Sequence, residues 1–221
     1  MEIRPTRRRF LRGVGASTAA LTVGPVVLPM TRLLTAAGAQ QAAAPTAAEL
    51  ASFAESIELA AASLYGSLRP RLTRPAAVAA ATAYARHHQD HANLIGAAAG
   101  DKRTGKANML LLPTLNDQLG QARNENDVIK VAYDLENSLA STYLFIVGSI
   151  TDAGVLKSAA SVLPVEAQHA VVLGTLIGKS TTELTAPDKD HLGYESEDKH
   201  LDPAVFPTVV KTTSTTTAAK K

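Results

Sequence analysis

The feature that most constrains the fold is a repeat, in which polar residues set in apolar stretches recur after 78 residues. In the first half they are Glu58, Tyr65, His88 and His91, and in the second Glu136, Tyr143, Glu166 and His169. Three of the four positions keep the same residue type, and the fourth pairs His88 with Glu166. Spacings of seven and of three residues put the members of each pair on one helix face. The second half is therefore predicted to be a structural copy of the first.

Start and stop signals predict the helices of the first half. The segment from Thr46 to Glu49 has the spacing of a capping box, so a helix begins there and runs to about Gly66. Pro75 suits the first position of a second helix, which ends near Gly100.

The second half begins after a long crossover, residues 101–125, which contains a short helix around Leu112. Asn126 is predicted to cap the third helix, which continues to about Thr151.

The fourth helix is predicted from about Gly154 to Gly178, with a kink or a break at Pro164. Two helix pairs joined by a long crossover predict an all-α fold, a four-helix bundle over residues 46–178. Residues 179–221 are predicted to form an extended or partly disordered tail.

Composition excludes several classes of protein. The 221 residues include no cysteine, so disulfides, thiolate zinc sites, iron–sulfur clusters and cysteine nucleophiles are out. The sequence has no long unbroken run of strongly apolar residues, so an ordinary multi-spanning membrane protein is also excluded. Residues 40–221 carry a net charge of −3 and no cluster of basic and aromatic residues, so nucleic acid is not an expected partner.

Residues 1–39 are predicted to be an export signal. They carry a net charge of +5, with paired arginines between Thr6 and Arg12, a weakly apolar run, and small residues from Ala37 to Ala39. The segment resembles a signal for the twin-arginine export machinery, which implies a periplasmic, envelope or extracellular protein starting near Gln40. Two alternatives stay open, namely an N-terminal helix with a basic cap and an uncleaved membrane anchor.

The buried polar residues predict a metal site. Ionised carboxylates and unpaired histidines cost several kcal/mol in an apolar core unless they are paired or bind a cation. One Glu from each odd helix and a Glu-x-x-His pair from each even helix is the pattern of dinuclear carboxylate centres. The candidate metal ligands are Glu58, His88, His91, Glu136, Glu166 and His169.

These motifs, together with the run from His87 to His91, resemble the ferritin-like superfamily over residues 46–178, in particular its twin-arginine-exported bacterial members. The resemblance implies two ions, iron or manganese, that react with O2 or peroxide.

The resemblance also implies individual ligand roles. Glu58 and Glu136 would each bind one metal, and Glu166 would bridge both. His91 and His169 would each bind one of the two ions.

Position 88 departs from the family pattern, which has a second bridging Glu there. Neutral imidazole presents one lone pair at a time, so His88 cannot span two metals as a carboxylate does. A retained hydroxide could balance the charge, or the site could hold a single metal. Asp90 points elsewhere on a helix, and His87 could face the site, although the 78-residue register prefers His88.

Other polar residues leave alternatives open. Tyr65 and Tyr143 are interpreted as core tyrosines that bond a carboxylate, with radical quenching as the alternative. Glu55 is either solvent-facing or a partner of the ligands. An acidic, histidine-containing patch over residues 188–200 is interpreted as solvated tail rather than as a second cation site.

Three function classes are compatible with the sequence. The first, which we expect, is an oxidoreductase that acts as a ferroxidase or peroxide scavenger. The others are a metal-binding module without turnover and a structural or stress-protection bundle with a degenerate site. The sequence leaves open whether the chain acts as a single bundle or a homo-oligomer.

Overall fold

A computed structural model describes residues 44–185 and 199–208, and within them the protein is all-helical, with no strand. The helices in chain order are α1 (Ala47–Leu68), α2 (Pro75–Ala99), α3 (Leu111–Gln121), α4 (Glu125–Ser149), α5 (Ala153–Leu176) and α6 (Thr181–Thr185). The predicted export signal and residues 188–198 of the acidic patch lie outside the described residues. The all-α prediction is confirmed.

The predicted starts of the first two helices are correct. At α1 the backbone N–H of Glu49 donates to Thr46 Oγ1, at 3.3 Å, and the backbone N–H of Thr46 donates to the Glu49 carboxylate, at 2.9 Å. Pro75 is the first residue of α2. Gly100 ends that helix with a φ of +60°, in the region that favours glycine.

The cap of α4 is not Asn126, as the sequence suggested, but Asn124. Its Oδ1 accepts a hydrogen bond from the backbone N–H of Asp127, at 2.9 Å, and so satisfies one of the free donors of the first turn. The Oδ1 of Asn126 accepts from Arg74 Nη2 instead, at 2.8 Å. A contact with the other helix pair therefore decides between the two asparagines.

Helix α5 is continuous through Pro164, so the predicted break is wrong. Proline removes the N–H that would bond the carbonyl of Ala160, and both residues are exposed, where water can replace the lost donor. Among the described helices, α5 alone is long and apolar enough to cross a membrane. It also presents Glu166 and His169 to the protein interior, at 0% and 2% exposure.

The long helices pack in two pairs, α1 along α2 and α4 along α5. The pairs meet where α2 contacts α5 and where α1 contacts α4, and α3 packs on α1 and α4. The middle of α1, from Leu50 to Glu58, and the middle of α4, from Leu135 to Tyr143, are buried on every side. The arrangement places the polar residues of the repeat at the centre of a helical bundle.

Part of the predicted tail is packed rather than solvated. The backbone N–H of Leu201 donates to Thr142 Oγ1 on α4, at 2.8 Å. Asn108 Nδ2, in the crossover, donates to the carbonyl of Phe206, at 2.9 Å. Leu201 and Phe206 are buried, so residues 199–208 cover apolar surface that the helices leave open.

Candidate metal centre

The six predicted ligands come together inside the bundle, carried by all four long helices. Glu58 lies on α1, His88 and His91 on α2, Glu136 on α4, and Glu166 and His169 on α5. The side chain of His91 is 12% exposed, that of His169 is 3% exposed, and the other four are fully buried. The centre therefore comes nearest to solvent at His91.

The ligand atoms form two overlapping groups of four. One consists of Glu58, His88, His91 and Glu166, and the other of His88, Glu136, Glu166 and His169. Within each group one ligand atom from each residue lies within 4.8 Å of the others. Glu166 and His88 belong to both groups, so the geometry offers two adjoining cation positions with these two residues between them.

His88 lies between carboxylates from opposite halves of the chain. Its Nδ1 is 2.7 Å from Glu58 Oε2, and its Nε2 is 3.0 Å from Glu136 Oε1. The 78-residue register correctly preferred His88 over His87 for this position.

Glu166 shows an unusual absence of hydrogen bonds. Both of its carboxylate oxygens and Nδ1 of His91 are buried and have no hydrogen-bond partner among the described residues. Yet His91 Nδ1 is 2.6 Å from Glu166 Oε1, and His169 Nδ1 is 3.4 Å from Glu166 Oε2. Atoms that are close but not aligned as donor and acceptor converge on a shared space, as ligands of one cation do.

Two tyrosines bond the outer carboxylates across the halves. Tyr143 donates its hydroxyl hydrogen to Glu58 Oε1, at 2.7 Å, and Tyr65 donates to Glu136 Oε1. Both rings are buried, so these are core tyrosines that bond a carboxylate, the preferred interpretation of the sequence. Each hydrogen bond fixes one carboxylate and leaves its Oε2 facing the histidines.

Protons balance the charge of the centre when no cation is bound. Burial alone would raise the pKa of Glu58, but its contacts with the imidazoles of His88 and His91 lower it to about 2. Burial alone would lower the pKa of His91, yet Glu166 and Glu58 raise it to about 9. The pKa of His88 is raised well above its usual value, because the charges of Glu136 and Glu166 outweigh its burial.

Glu166 is the exception among the carboxylates. Burial, and then the charge of Glu58, raise its pKa to about 7. The Glu166 carboxyl group is therefore only partly ionised near pH 7, and a further positive charge nearby would favour its ionised form. A divalent cation would supply that charge.

Two residues beside the centre were not assigned to it from the sequence. The ring of Tyr84 stacks on that of His169, with centroids 3.8 Å apart. His87 Nδ1 lies 3.0 Å from His169 Nε2, on the side away from the carboxylates. Tyr84 lies one turn before His88 on α2, and that i, i+4 spacing is the signal that would have found it.

Glu55 is not solvent-facing. It is fully buried, and its carboxylate accepts hydrogen bonds from the backbone N–H groups of Thr104, at 2.7 Å, and Gly105, at 3.2 Å, and from Arg103 Nε, at 2.9 Å. Burial opposes ionisation, but these donors, Thr104 first, lower its pKa. Glu55 therefore ties the crossover to α1 one turn before Glu58.

Comparison with known proteins gives the family. A sequence profile described as the ferritin-like domain matches residues 35–179. The chain belongs to the ferritin-like domain family. The matched part of this ferritin-like chain contains all four long helices and all six candidate ligands. No curated protein and no solved structure matches the sequence.

Proposed function

We propose that this ferritin-like protein is an exported four-helix bundle that holds two iron or manganese ions and uses them to reduce O2 or peroxide. The observation that carries the proposal is the buried Glu166, whose two oxygens lack hydrogen bonds and face His91 and His169. When the histidines are neutral, as metal ligands are, a buried carboxylate with neither oxygen hydrogen-bonded is costly unless a cation binds it.

The residues present fit a pair of divalent cations. Glu58 and Glu136 each offer Oε2 as a ligand atom. In both residues a tyrosine hydroxyl bonds Oε1 and so fixes the carboxylate. Glu166 reaches both groups and is the one carboxylate able to bridge them. Carboxylate and imidazole together suit iron, manganese and zinc. When bound, iron or manganese supplies the electrons that the oxidant takes up.

His88 sets the charge of this centre apart from one with four carboxylates. Three carboxylates against two divalent cations leave a net charge of +1 when the histidines are neutral. Nδ1 of His88 faces Glu58 and Nε2 faces Glu136. Each nitrogen is therefore placed beside one group of ligands, and a single nitrogen cannot bridge two cations as a carboxylate can. We expect a hydroxide to balance the remaining charge in the two-metal form.

The proposal of export comes from the N-terminal segment. It rests on the paired arginines, the weakly apolar run and the small residues of residues 1–39. A route that carries folded proteins would allow the metal to be bound before export. Homo-oligomer formation is compatible with the proposal and is not required by it.

The alternative is a bundle that binds no catalytic metal. One observation favours it, because His88 links Glu58 and Glu136 by short contacts that hold the centre together with protons alone. On this alternative the protein is a structural or stress-protection module, and protonated His88 takes the place of a cation between the two carboxylates.

Metal content separates the two functions. Protein purified without chelator or added metal is analysed by elemental mass spectrometry, beside a Glu166→Ala/His169→Ala variant and a control, Gln168→Ala, at an exposed position of α5. The proposal expects about two iron or manganese ions per chain in the parent and the control and a loss in the double variant. About one ion per chain would indicate a mononuclear site.

Less than about a tenth of an equivalent, even after anaerobic reloading, would overturn the proposal in favour of the metal-free bundle. If two ions are present, oxygen uptake and peroxide consumption by the reduced protein test the reaction itself.

A further inference from the structure

His169 makes a contact that the other predicted histidine ligands do not. Its Nδ1 faces Glu136, at 3.3 Å, and Glu166, at 3.4 Å, and is therefore the nitrogen directed at the candidate metal position. Its other nitrogen, Nε2, lies 3.0 Å from Nδ1 of His87. The planes of the two rings lie within 19° of each other, with centroids 5.2 Å apart.

The chemistry of imidazole fixes the direction of that hydrogen bond. A neutral histidine that binds a metal through Nδ1 carries its proton on Nε2. The Nε2–H of His169 must then donate, and His87 Nδ1 must accept. An acceptor behind a histidine ligand fixes its tautomer and ring orientation and makes the ligand nitrogen more basic.

By the 78-residue repeat, His169 has a histidine behind it and His91 does not. His87 on α2 contacts His169 on α5, so the equivalent residue for His91 lies 78 positions after His87 and is Val165. A valine side chain can neither accept nor donate a hydrogen bond. His91 is also the most exposed of the six ligands, with 12% of its side chain accessible to solvent.

We propose that His87 is a positioning residue for His169 and that it makes the metal position at Glu136 and His169 the tighter of the two. The position at Glu58 and His91, which lacks this support and lies nearer to solvent, exchanges its ion more readily. This inference rests on the proposed function, because it requires that cations bind at the centre.

The test uses Zn²⁺, which is redox-inert, with the full chain and chelator competition at pH 7.5. The parent is expected to show two classes of site. Outer-shell partners of histidine ligands affect metal affinity by about 10- to 100-fold, so His87→Val is expected to weaken the tighter class by that factor and leave the weaker class unchanged. His87→Gln, which restores an acceptor oxygen, is expected to recover most of the loss.

A control and a spectroscopic measurement separate positioning from a general loss of structure. Val165→Ala trims the equivalent position and is expected to leave the tighter class unchanged. In the ¹⁵N NMR spectrum of the Zn²⁺ form, His169 is expected to show a protonated Nε2 and a metal-bound Nδ1, and His87→Val is expected to broaden or shift that Nε2–H resonance.

Two results would overturn the inference while leaving the proposed function intact. One is equal weakening of both classes by His87→Val, and the other is a loss that His87→Gln does not relieve. A parent protein that binds no Zn²⁺ at all would overturn both.

Discussion

Tyr143, on α4, donates its hydroxyl hydrogen bond to Glu58, on α1, across the interface between the two halves of the chain. Tyr65 makes the equivalent bond to Glu136 in the opposite direction. Glu58 and Glu136 are thus each held by a tyrosine from the other half of the chain. The 78-residue repeat relates Tyr65 to Tyr143 and Glu58 to Glu136, so it relates the two hydrogen bonds to each other. The pseudo-symmetry of the sequence is therefore also present in the hydrogen bonding.

The two tyrosine bonds are therefore expected to contribute equally. A hydrogen bond to a charged group contributes about 1.5–3 kcal/mol, so Tyr143→Phe and Tyr65→Phe should each lower the free energy of unfolding by about that amount. Urea denaturation of the metal-free protein at pH 7 measures both. A loss confined to one variant would show that the two halves are energetically different despite their matching contacts.

The stability of the metal-free protein is expected to fall as pH rises above neutrality. Raised folded pKa values, about 9 for His91 and about 7 for Glu166, give stability that is present at low pH and is lost as pH rises through those values. Glu58, with a pKa of about 2, gives stability that is lost only as pH falls below about 4.5. The maximum should therefore lie near pH 4.5, because the Glu166 contribution is lost between about pH 4.5 and 7 and the His91 contribution between about pH 6.5 and 9.

Metal affinity should change with pH in the opposite direction, because His91 must lose its proton to bind a cation. Melting temperatures measured with and without Mn²⁺ should diverge steadily from pH 6.5 to 9. If the two melting temperatures instead change in parallel over that range, metal binding displaces no proton from a histidine.

The variant Glu166→Gln separates two effects of this residue on the melting temperature, one in the metal-free protein and one that requires bound metal. Glutamine removes the negative charge that faces His91 Nδ1 at 2.6 Å, so the metal-free protein should lose the part of its stability at pH 7 that comes from the raised pKa of His91. The increase in melting temperature produced by Mn²⁺ should disappear, because the residue shared by both groups no longer binds. A metal-dependent increase equal to that of the parent would exclude Glu166 as a bridging ligand.

The sequence alone indicated which polar residues share a helix face, because helical periodicity is a local property. Once Glu58 and Glu136 are placed on helices, the spacing of each repeat settles which neighbours share their face. The start of α1 followed from the capping box for the same reason, since Thr46 and Glu49 contact each other within one turn.

Two of the failures depend on contacts between distant residues. Asn124 and Asn126 are equally good caps by composition, and the hydrogen bond from Arg74 to Asn126 decides between them. Glu55 is three residues from Glu58, and only its contacts with Arg103 and Thr104, nearly fifty residues later, show that it is buried. No local pattern contains that information.

Gly96 provides a test of how tightly Glu55 is enclosed. A Cβ at position 96 would lie 2.7 Å from Glu55 Oε1, whereas a Cβ at Gly66, on α1, meets nothing within 4 Å. Gly96→Ala should destabilise the protein by about 1–3 kcal/mol through overpacking. Gly66→Ala should stabilise it by about 0.5–1 kcal/mol, because alanine favours a helix interior more than glycine does. Thermal unfolding of the two variants side by side measures the difference, and a stabilising Gly96→Ala would mean that Glu55 can move away from the crossover at little cost.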